Sequence, residues 1–166
     1  MNYTEMTNDQ LEKEQAVIAA EIDKLYDKQE EIQSIKRERE LAAYKTTNDI
    51  LQIKNNSYIM AIAKHEDYHY SMFQIFHILE VGNGGFQVLE HKYRQDDSEY
   101  SYRIERTSIY QSAFYYLKDE YILISIEEEA FNEIHAILSK VNIDYTNWKE
   151  FSNYVITNFA KSRIEV

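Results

Sequence analysis

The sequence predicts an α+β fold: a long N-terminal helix, an antiparallel β-meander of about six strands, and two C-terminal helices packed on the sheet. Three observations predict it. All three glycines fall in one stretch, Gly82-Asn83-Gly84-Gly85, between the apolar runs Tyr68–Val81 and Phe86–Arg94. Such clustering marks a hairpin at which the backbone is expected to take positive φ. Leu11, Ile18, Leu25 and Ile32 recur every seven residues in a stretch without a helix breaker. Finally, ten of the 15 tyrosines lie between Tyr58 and Tyr121, and tyrosine suits a pleated, half-buried surface.

The elements follow in order. Thr7 with Gln10 three residues on forms a capping-box signature. The helix it opens runs to about Thr46. Its apolar stripe, Leu11, Ile18, Ile22, Leu25 and Ile32, is narrow, and the remaining faces are heavily charged. A narrow seven-residue stripe is the signature of a coiled-coil seam, so the segment 1–54 is expected to pair with a second copy. Gln15, Gln29 and Lys36 interrupt the companion positions of that seam. A bend near Lys36–Glu40, with Leu41, Ala42 and Tyr44 packing on the sheet, is the competing expectation.

Residues 55–166 are expected to form the sheet with its two C-terminal helices. Asn55-Asn56-Ser57 is a turn signal, and Tyr58–Ala63 reads as the first strand. The long strand Tyr68–Val81 is apolar on both faces around Phe73–Leu79, as for a strand covered on both sides. After the glycine hairpin come strands over Phe86–Arg94 and Glu99–Thr107, joined at Gln95-Asp96-Asp97-Ser98. Ser112–Leu117 and Tyr121–Ile126 complete the meander. Ser125 and Glu128 offer a second capping box, opening a helix over Glu127–Val141. Thr146 is placed to cap a last helix, Asn147–Ser162.

Composition narrows the function classes. With 166 residues the chain suits one domain with an appended helix. The absence of cysteine excludes disulfides, thiolate chemistry and cysteine-based zinc sites. No apolar run resembles a signal peptide or a membrane span, which places the chain in the cytoplasm. The net charge of −11 disfavours direct nucleic-acid binding, because Lys and Arg supply most of the affinity for phosphate. The acids outnumber the bases 12 to 8 in residues 1–54, 10 to 6 in 55–126 and 7 to 4 in 127–166.

One catalytic pattern occurs. His65-Glu66-Asp67-Tyr68-His69 matches the H-E-x-x-H of zinc peptidases, in which two histidines one helical turn apart hold the metal and the glutamate activates water. By that resemblance His65 and His69 are ligands and Glu66 the base, with Glu90 a weak candidate for a third ligand. The flanking residues have strand spacing rather than helix spacing, so a polar hairpin turn is the preferred reading. The glycine stretch lacks the Lys-Ser/Thr and following helix of a phosphate loop. His77, His91 and His135 are scattered in sequence. No cofactor or metal is expected, and no catalytic residue is assigned.

The acidic clusters Asp96-Asp97 with Glu99, Asp119-Glu120 and Glu127-Glu128-Glu129, together with Tyr100 and Tyr102, form the candidate partner-binding surface. In overall character the chain resembles the small inhibitors carried by phages and mobile elements, such as anti-CRISPR proteins, which are commonly short, acidic, cysteine-poor and devoid of catalytic motifs. That resemblance implies a non-enzymatic inhibitor in the host cytoplasm. Its partner would have a basic groove that normally holds nucleic acid, such as a Cas effector. Two alternatives belong to other classes: a structural protein dimerising through its helix, and a metal-dependent hydrolase at His65–His69.

Overall fold

A computed structural model describes residues 6–64, 72–96, 99–140 and 148–164, apart from the side chains in 94–101. Helix α1 spans Asn8–Ile50, 43 residues without interruption. It begins at the expected capping box. The Thr7 amide donates to Gln10 Oε1 at 2.9 Å, and the Gln10 amide donates to Thr7 Oγ1 at 3.4 Å. The helix is unbroken through Lys36–Glu40, the place of the competing bend. The helix ends in a Schellman motif, with Ile53 N–H donating to the Asn48 carbonyl and Gln52 N–H to that of Asp49. Gln52 there adopts φ 54°.

By internal contacts the chain divides into Met1–Ala42 and Ala43–Val166. The sequence-expected boundary after residue 54 thus falls inside the second unit. The reason is local. Thr47 and Leu51 are buried, and Tyr44 meets Tyr115 and Tyr116, its hydroxyl lying 2.8 Å from that of Tyr116.

The second unit is built on one sheet. Its strands are β1 (Tyr58–Ala63), β2 (Phe73–Val81), β3 (Gly85–Asp96), β4 (Glu99–Tyr110), β5 (Tyr121–Ile126) and β6 (Ser162–Ile164). They lie in the order β4-β3-β2-β1-β5-β6, every pairing antiparallel. β1 is central and buried along its whole length, which is why its sequence, Tyr-Ile-Met-Ala-Ile-Ala, is continuously apolar.

Each face carries its own core. On one, Tyr58, Met60, Ile62, Phe73, Ile75 and Ile124 pack under α3 (Glu128–Leu138) and α4 (Trp148–Phe159). α3 contributes Ala130, Ile134 and Leu138, spaced as a helix face requires. On the other, Leu51, Ile59, Ala61, Phe76, Ile78 and Val88 surround Phe114 of the short helix α2 (Ala113–Leu117).

Three local expectations need correction. Ser112–Leu117 is not a strand but holds α2. A helical turn puts Phe114 and Leu117 on one side, where both join the core with Phe76 and Phe86; a strand would send them to opposite faces. Ser162 does not end the last helix but opens β6, the sixth strand. Ser125, inside β5, meets Ser162 Oγ at 2.7 Å rather than capping α3, whose N-cap is Glu127.

The glycine hairpin also differs in its cause. No glycine has positive φ. Gly85 is required because a Cβ there would collide with the carbonyl of Ile109 across the β3–β4 pair. A Cβ on Gly84 would meet nothing.

Candidate functional site

The residues expected to form a seam on α1 make an exposed stripe. Ile18 is 42% exposed, Ile22 45%, Leu25 63% and Ile32 53%; Leu11, nearer the start, is partly covered. Val17, Tyr26 and Ile35 widen the stripe beyond the residues the seven-residue repeat picks out. Within α1 only Thr47 is buried. At 1.5 Å per residue the 43-residue helix is about 64 Å long, and its apolar residues recur along most of it.

The acidic clusters do not form one patch. Asp119-Glu120 precede β5 and Glu127–Glu129 follow it, so a six-residue strand, about 20 Å, separates them. The end of β3 and the start of β4 lie at the same end of the sheet as Asp119-Glu120. The register Ile122↔Ile62↔Phe73↔Tyr93 puts those positions level, and Asp96 and Glu99 pair just beyond. Three strand spacings, about 14 Å, divide them laterally. Asp97 and the side chains of Asp96, Glu99 and Tyr100 lie outside the described residues. Glu127, Glu128 and Glu129 are exposed, and Glu127 pairs with Lys161. Tyr102, expected on the contact surface, is instead half-buried under α3.

What the sequence left scattered, the sheet brings together. His77 on β2, His91 on β3 and His135 on α3 converge with Tyr58, Tyr93, Tyr102 and Phe131. Tyr58 stacks on His77 at 4.4 Å between centroids and on Phe131 at 4.7 Å. The Tyr93 hydroxyl lies 2.7 Å from His135 Nδ1, and the Tyr102 hydroxyl 2.7 Å from His91 Nδ1. His91 and His135 are 6.0 Å apart between centroids. The signal was available in principle: β-alternation puts His77, His91 and Tyr93 on the face that receives α3. It needed the strand register, which the sequence does not state.

His91 is 7% exposed, and its pKa falls to about 4, first from burial and then from His135 and His77. Burial also lowers His77, while Glu128 pulls the other way. Burial raises the Tyr102 phenol, and burial and then Glu128 raise that of Tyr58. His77 and His91 are thus neutral at neutral pH and the Tyr58 and Tyr102 phenols protonated, and hydrogen bonds and stacking hold the cluster together.

His65, Glu66 and His69 lie outside the described residues. Glu90, the weak candidate for a third ligand, projects from the opposite face of β3 to His91 and pairs with Lys92 at 3.1 Å. Lys92 also bridges to Glu105 at 3.2 Å, which offsets the direct Glu90–Glu105 opposition across β3 and β4. Among the described residues no group of three or more His, Asp or Glu is placed to hold a metal ion. No described helix is long and apolar enough to cross a membrane.

Comparison with known proteins adds no relative. No family model matches the chain, and neither does any curated protein or solved structure. The functional reading therefore rests on the surfaces themselves.

Proposed function

We propose that this chain acts by binding proteins, and that α1 is the surface through which two copies join. The supporting observation is the stripe Ile18, Ile22, Leu25, Ile32 and Ile35, large apolar side chains left 42–63% exposed along a helix that is otherwise charged. Helix stripes of this kind gain most of their stability by burial against a second helix. Light scattering on the purified protein across a concentration series tests it. Twice the 19.9 kDa of one chain is the expected mass, and a monomer at every concentration overturns the reading.

A second reading concerns the outside partner. Exposed Asp119-Glu120 and Glu127–Glu129, in a chain of net charge −11, favour a basic protein. Such a partner is a nucleic-acid-binding effector in the cytoplasm, with the acids standing in for phosphate as in anti-CRISPR-type inhibitors. Because the clusters lie at opposite ends of β5, one end carries the contact. Neutralising Asp119 and Glu120 in one variant and Glu127, Glu128 and Glu129 in another tests this against a captured partner. Added DNA or guide RNA should compete, and one variant alone should bind more weakly. Equal binding by both variants without competition refutes it.

A further inference from the structure

We propose that two copies join through α1 in antiparallel orientation, with Ile22 of each copy set against Leu25 of the other. The inference rests on the dimer reading above and adds its direction and register, which decide which residues meet. Charge supplies the first observation. Residues 8–31 of α1 hold eight acids and three bases, a net −5, whereas residues 32–50 hold three acids and four bases, a net +1. Parallel helices would lay the acidic half of one copy along the acidic half of the other. Antiparallel helices lay it along Lys36, Arg37 and Arg39 instead, and complementary charge of this kind selects the pairing.

The seam residues supply a second, independent observation. Leu11, Ile18, Leu25 and Ile32 hold one core position of each heptad, and Gln15, Ile22, Gln29 and Lys36 hold the other. In a parallel, in-register pair each residue meets its own counterpart. Gln15 would face Gln15, Gln29 would face Gln29, and Lys36 and Arg39 would each oppose a like charge. An antiparallel pair sets one core position against the other. With Ile22 against Leu25, two-fold symmetry places Gln29 against Ile18, Gln15 against Ile32 and Lys36 against Leu11. Every polar interruption then lies against an aliphatic side chain. The Lys36 stem covers Leu11, and its ammonium reaches toward Glu12 and Glu14 of the other copy. The flanking positions agree. Glu21 meets Lys28 of the other copy on both sides of the two-fold axis, whereas a parallel pair puts Glu21 beside Tyr26 and Lys28 beside Gln33.

The surface this pairing covers is open in the single chain, with Ile18, Ile22, Leu25 and Ile32 42–63% exposed. The shared seam, from Leu11 to Lys36, is about 38 Å long. It lies wholly within the unit Met1–Ala42, so Thr47 and Leu51 keep their buried places in the other unit.

The chain has no cysteine, so an introduced thiol reports on a single position. Gln15→Cys and Gln33→Cys change exposed polar residues and spare the aliphatic stripe. The two positions are about 27 Å apart along one helix. The variants would be mixed, left to exchange subunits and treated with a bis-maleimide much shorter than that distance, and the linked peptides identified by mass spectrometry. Position 15 of one copy should be linked to position 33 of the other in the mixture, and neither variant alone should be linked. Links from 15 to 15 and from 33 to 33 would overturn the antiparallel direction and leave the dimer standing. A dimer by sedimentation that gives no link at all would overturn the register. A parent that sediments as a monomer at every concentration overturns the dimer reading and this proposal with it. Charge reversal checks the register without thiols. Glu21→Lys or Lys28→Glu alone should weaken the dimer about five-fold, and the two together should restore it, because residues seven apart on one helix are not neighbours. A double variant weaker than either single one would also overturn the proposal.

Discussion

Replacing Ile18 and Leu25 by glutamate gives the most decisive test of self-association. In the single chain these side chains are 42% and 63% exposed. Covering a fully exposed residue of this size is worth about 1.5–3 kcal/mol, so a half-exposed one gains about 1 kcal/mol in the dimer. Two positions in each of two copies then give about 4 kcal/mol, about a thousand-fold in Kd. Four new carboxylates meeting across one seam add repulsion to that loss. Glutamate is a good helix former, so α1 itself should persist. Sedimentation velocity at matched concentrations should show a dimer for the parent and a monomer for the variant, with unchanged helical circular dichroism. A variant that keeps the parent's mass refutes the assignment of the seam.

Other expectations follow from single residues. Above pH 6.5 His91 is neutral in both the folded and unfolded chain, so stability is full there. As pH falls from 6.5 to about 4, only the unfolded state takes up the proton, and stability drops by up to about 3 kcal/mol. Urea denaturation at pH 7 and pH 5 checks this, and His91→Phe should flatten the dependence. Gly85→Ala should cost about 1–3 kcal/mol through its collision with Ile109, whereas Gly84→Ala should be close to neutral. Thermal melts of the two separate steric need from turn chemistry, and equal effects would contradict that account. Gln52→Gly should stabilise by about 0.5–1 kcal/mol, because Gln52 pays a side-chain penalty at φ 54° that glycine avoids. A lower melting temperature for that variant would show that the Gln52 side chain has a contact of greater value.

The parts of the fold most legible in sequence were those with a continuous local signal. Tyr58–Ala63 and Tyr121–Ile126 are short apolar runs between turns, and they are strands at those bounds. Thr7 and Gln10 carry their capping pattern within four residues, and the hydrogen bonds follow it. Ser112–Leu117 misleads because six residues rich in aromatics have no period that separates strand from helix. Its state is decided by the space between Phe76 and Phe86, which only the assembled sheet defines. β6 is three residues long and carries no pattern to detect. The positive φ expected at the glycines occurs instead at Gln52 and Asn56, where the end of α1 and the following turn demand it. For the candidate surfaces the same division holds. The α1 stripe is a sequence pattern, whereas the meeting of His77, His91 and His135 depends on register between distant strands.

The position of β4 at the end of the sheet has a consequence for how the protein survives at high concentration. This strand of 12 residues pairs with β3 on one side, and no other described strand pairs with it on the second. A row of backbone donors and acceptors that long is a template for joining sheets end to end. Arg103, Glu105 and Arg106 stand exposed along it, breaking up Tyr102, Ile104 and Ile109. Charges so placed act as gatekeepers: a strand arriving in most registers would have to bury one of them or set like against like. The mixed sign of this strand therefore protects against fibrous aggregation, a duty separate from any partner the protein binds.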